Sequence, residues 1–160
     1  MTNSRDVFWE NFESWICYYR LNIHRFCEQY LGLSLKLFQK LIIYAMDNPN
    51  AKTQLNTFVF FASRGLGKTY LTMVFCLAKG ILYPGIKIRV AAPNIKQATL
   101  LIGKAVELRR DYPNIDREIE GEIKINKDQA KILLKNGSTI ETVVCSDNAR
   151  GKLIIFLLYN

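Results

Sequence analysis

The sequence predicts an α/β fold: an N-terminal helical region, then a parallel sheet built from alternating strands and helices, with a β-hairpin insertion. Three observations carry this expectation. Apolar residues recur at helical spacing through the first part of the chain, and short β-branched runs then alternate with helical ones. An Asn-Gly pair also separates two strand-like runs further on. At 160 residues the chain is most simply one domain with room for a real core, and 49% apolar residues exclude a disordered polymer.

The helical region comes first. From Val7 to Tyr30, Phe8, Phe12, Trp15, Ile16, Tyr19, Ile23, Phe26 and Tyr30 recur at three- and four-residue spacing, so one helix is expected there. Gly32 punctuates, and Ser34 is placed to cap a second helix, LKLFQKLIIYAM. The polar run Asp47 to Asn56, which contains Pro49, reads as a loop.

The strands follow. TFVFFA, residues 57–62, suits a buried strand, and after a glycine loop Lys68 to Lys79 reads as a helix ended by Gly80. KIRVAA, residues 87–92, is a second strand, and Asn94 is placed to cap a helix reaching about Arg110. That order implies right-handed crossovers and a parallel sheet. Glu122 to Ile125, Lys131 to Leu134 and Thr139 to Val144 look like short strands, the last two joined by the Asn136-Gly137 turn. LIIFLL, residues 153–158, reads as a final buried strand.

Charge and cysteines narrow the class. A formal net charge of +8 favours an anionic partner such as nucleotide or nucleic acid, though basic composition alone also suits proteins that bind neither. Cys17, Cys27, Cys76 and Cys145 show no CxxC spacing, and the single His24 completes no familiar zinc pattern. Three of the four lie among apolar or aromatic residues and read as buried thiols in a reducing compartment. No secretory signal pattern and no apolar run of about eighteen residues is present, so a soluble intracellular protein without a membrane role is expected.

The chemistry concentrates in ASRGLGKT, residues 62–69. A phosphate loop needs backbone N–H groups turned inward and a helix N-terminus behind them, and glycines permit that curvature. Ser63, Arg64, Gly65, Leu66, Gly67, Lys68 and Thr69 are the candidate nucleotide-binding residues. Lys68 is suited to β- and γ-phosphates, and the Thr69 hydroxyl to magnesium. Ala62 stands where the pattern has its first glycine. The apolar strand leading in and apolar helix leading out favour a nucleotide site over a chance turn with an exposed lysine. Arg64 is either a cation stabilising the transition state of phosphoryl transfer or a solvated loop residue, and the residues alone leave both open.

ASRGLGKTYL resembles the Walker A segment of phage terminase large subunits, the ATPases that package double-stranded DNA. YYRLNIHRFCEQYLGLSLKLFQKLIIYAM resembles the helical region upstream of that motor. ILYPGIKIRVAAPNIKQATLLIGK resembles the following strand and helix, and NGSTIETVVCSDNARGK the segment before the second acidic motif. The resemblance implies a partial P-loop NTPase-type parallel sheet. Residues 1–50 would be the helical, adenine-side region and 57–160 the core, within an incomplete N-terminal ATPase domain lacking the nuclease.

The resemblance also implies roles. ATP and Mg2+ would be the cofactors, Lys68 and Arg64 the catalytic cations, with Arg64 acting in cis. Gln39 would read the adenine edge, or be an ordinary helix-surface glutamine. Lys96 and Gln97 could touch DNA or the motor's mobile subdomain, or simply be a solvated helix start. Partners would be double-stranded DNA, a portal and a small terminase subunit, with an oligomeric ring in the full-length form. The setting would be a host cytoplasm, with a phage or prophage as the source.

Such motors also need an aspartate and a glutamate after the strand that LIIFLL would form. Tyr159 and Asn160 stand there instead, and Asp147 precedes that strand. The expectation is therefore a truncated or split gene product that binds nucleotide weakly and turns it over negligibly alone. The alternatives are a helicase-like nucleic-acid-dependent ATPase, a P-loop small-molecule kinase, for which no acceptor site or lid is evident, and an inactive remnant.

Overall fold

In a computed structural model, the structure describes residues 4–47, 65–92, 95–125, 130–144 and 156–157. The chain divides into two compact units, Met1–Phe60 and Phe61–Asn160.

In the first unit the expected single helix is two: α1 spans Ser4–Leu21 and α2 spans Ile23–Gln29. The break falls at Asn22, whose backbone (φ −136°, ψ 57°) leaves the helical region. Its side-chain amide donates to the Tyr18 carbonyl at 2.9 Å, the local competition with helix that asparagine offers. α3 spans Leu37–Asp47, two residues later than predicted. Ser34 is not its cap; the Lys36 backbone N–H donates to Gln39 Oε1 at 2.8 Å, the returning half of a capping box.

Ile23, Phe26, Cys27, Leu31 and Ile43 are almost wholly buried in the core of this unit. Aromatic contacts extend it outward: Tyr19 meets Phe26 edge-on at 5.5 Å, and Phe26 stacks on Tyr30 at 4.9 Å. A Lys40–Glu28 ion pair at 2.8 Å ties α3 to α2.

The second unit is an α/β layer structure. α4 spans Lys68–Leu82, β1 Lys87–Ala92, α5 Ile95–Asp111 and α6 Pro113–Glu118. β2 spans Lys124–Ile125, β3 Ala130–Leu133, β4 Thr139–Val144 and β5 Phe156–Leu157. The strands form one sheet in the order β2-β3-β4-β1-β5. The sheet is mixed rather than purely parallel. β1 runs parallel to β4 and to β5, whereas β3 is antiparallel to both β4 and β2. The hairpin is thus continuous with the sheet, because its second strand is also the parallel neighbour of β1.

α4 lies deep. Leu71 through Ala78 are buried without interruption, as befits a helix apolar on nearly every side. It does not stop at Gly80 but continues to Leu82. Gly80 is inside the helix because the sheet comes close there. A Cβ on it would lie 2.6 Å from Leu134 Cδ1, with Ile88 and Ile140 just beyond.

Alternate strand residues fall on opposite faces of the sheet. Ile88, Val90, Ile132, Ile140 and Thr142 are buried. Arg89, Glu141 and Lys131 stand in register on the other face, where Glu141 pairs with Lys131 at 2.9 Å and Arg89 at 3.8 Å. No helix among the described residues is long and apolar enough to cross a membrane.

Candidate functional site: the glycine loop and the helix behind it

The loop enters α4 through two left-handed residues. Gly65 has φ +86° and Gly67 has φ +77°, values that a side-chain-bearing residue adopts only with strain. Space is not the constraint: a Cβ on Gly65 would meet nothing within 4 Å, and one on Gly67 only Tyr70 Cβ at 3.9 Å. Backbone conformation alone therefore explains why glycine occupies both positions. Leu66, between them, is 40% exposed.

Gly67 is the N-cap of α4, with no side-chain cap, and its carbonyl accepts the Leu71 N–H at 2.9 Å. Lys68 and Thr69 are then the first two helical residues, both half-buried. A helix start of this kind directs its first N–H groups and the positive end of its dipole toward the loop. Such an arrangement suits a phosphate, with the Lys68 ammonium and Thr69 hydroxyl close at hand in the sequence. Thr69 is the residue here that could meet a nucleotide-borne magnesium. Among the described residues, no group of three or more His, Cys, Asp or Glu could hold a metal ion.

The remaining expected site residues divide as follows. Ser63 and Arg64, together with Ala62 and the strand TFVFFA, lie outside the described residues. Lys96 and Gln97 fall in the first turn of α5, described for its backbone only. Gln39 belongs to the first unit, in the first turn of α3, where its amide oxygen is engaged by the Lys36 N–H. Asn94 and Asp147 also lie outside the described residues, as do 153–155 and 158 of LIIFLL; residues 156–157 form β5.

The thiols behave as two kinds. Cys27 and Cys76 are fully buried, and burial pushes the Cys27 thiol up to about 12 and the Cys76 thiol higher still, so neither is a nucleophile. Cys17, although it lies between Ile16 and Tyr18, is exposed. Cys145 lies outside the described residues.

One feature of the site's support was not legible in the sequence. At the far end of α4, Asn136 Nδ2 donates to the Gly80 and Ile81 carbonyls at 2.8 and 2.9 Å. Ser138 Oγ donates to the Tyr83 carbonyl at 2.9 Å and accepts from the Ile86 N–H at 3.3 Å. The β3–β4 turn thereby caps the helix whose other end carries the glycine loop. Asn-Gly announced the turn, but nothing local announced this second use. Compared with known proteins, the chain matches no family model and no curated protein.

Proposed function

We propose that this chain is the ATP-binding part of a DNA-packaging motor of the terminase large-subunit type, with a P-loop NTPase core. The observation that carries the reading is the pair of left-handed glycines leading straight into the uncapped start of α4, with Lys68 and Thr69 in its first turn. The consecutive order α4, β1, α5, and the parallel pairing of β1 with the later β4, support it. So does β5, a parallel neighbour of β1 where the sequence places the strand that should precede an acidic pair.

In this reading the loop N–H groups and Lys68 hold the β- and γ-phosphates. Thr69 would hold magnesium, and in the full-length form Arg64 would offset the charge of the phosphoryl group. Magnesium supplies charge neutralisation when bound with ATP. Lys96 and Gln97 would contact double-stranded DNA, and a portal and small subunit would be the protein partners in a host cytoplasm.

The test is ATP·Mg2+ binding by isothermal titration calorimetry, with and without Lys68→Ala. Binding by the wild type that falls at least tenfold in the variant, with an unchanged circular dichroism melt, is the expected result. No binding, or binding indifferent to Lys68, would overturn the proposal.

A further inference from the structure

We draw no further inference here: the strongest candidate, the exposed apolar face of α1 (Trp9, Phe12, Trp15) together with exposed Leu37 and Leu41 of α3, is a surface for which nothing in the structure shows what covers it.

Discussion

Asn136→Ala is expected to loosen the second unit without touching the first. The Asn136 side chain makes three hydrogen bonds, two to the last-turn carbonyls of α4 and one from the Ser138 N–H at 3.0 Å. Each ordinarily contributes about 0.5–1.5 kcal/mol net, and water can reach part of this half-buried site, so a loss of about 1–3 kcal/mol is expected. Asn136→Asp separates the donated bonds from the accepted one. It keeps the acceptor for Ser138 but loses both donations, and it sets a negative charge against the negative end of the helix dipole. It should cost at least as much as alanine.

Hydrogen exchange at the Tyr83, Leu134 and Gly137 amides is the assay, since each is hydrogen-bonded beside the junction. Protection should fall roughly 5- to 150-fold if these amides exchange through opening of this unit. Trp9 and Trp15 both lie in α1, so tryptophan fluorescence at low denaturant serves as a control that should stay unchanged. Protection within twofold of wild type in the alanine variant, or greater protection in the aspartate one, would refute the capping role.

Three other outcomes follow from the same structure, beside the Lys68 test above. Gly80→Ala should destabilise by about 1–3 kcal/mol in urea unfolding despite alanine's better helix propensity, because the new methyl overlaps buried Leu134. Leu134→Ala in the same chain should make the two effects non-additive. Thr142→Val should cost about 1–3 kcal/mol, measured the same way, since it strands the buried Ala130 N–H that donates to Thr142 Oγ1 at 2.9 Å. His24 is held below its usual pKa by burial, then by Arg25 and Lys40, against an opposing pull from Glu28. The unfolded chain therefore binds this proton more readily, and the stabilising effect of neutral His24 is lost as pH falls below about 6.5. Thermal melts at pH 7.5 and 5.5 should show a smaller acid-induced drop for His24→Gln than for wild type.

Local pattern and tertiary context contributed differently along the chain. KIRVAA was readable as β1 to the residue because its alternation and β-branching are properties of six neighbours. Thr139 to Val144 matched β4 for the same reason, with the Asn136-Gly137 turn pinning its start and Gly137 taking φ +83°. α6 went unseen: it is six residues long, and Pro113 at its first turn marks it less loudly than a periodic stripe would. The split at Asn22 was hidden by an apolar rhythm that runs on through both helices.

The sequence alone settled the helical first part, the glycine loop entering a helix and the hairpin turn, since each rests on residues within a few positions of one another. The glycine-loop geometry is legible because positive φ has a residue signature. Tertiary structure decided the rest. Gly80 reads as a helix stop until Leu134, far along the chain, is placed against it. Asn136 reads as a turn residue until the Gly80 carbonyl, 56 positions away, arrives at its amide. The sheet reads as parallel with a separate insertion until β4 is seen to serve both halves. Those outcomes depend on which distant surfaces meet, and contact between remote segments leaves no periodicity in the local sequence.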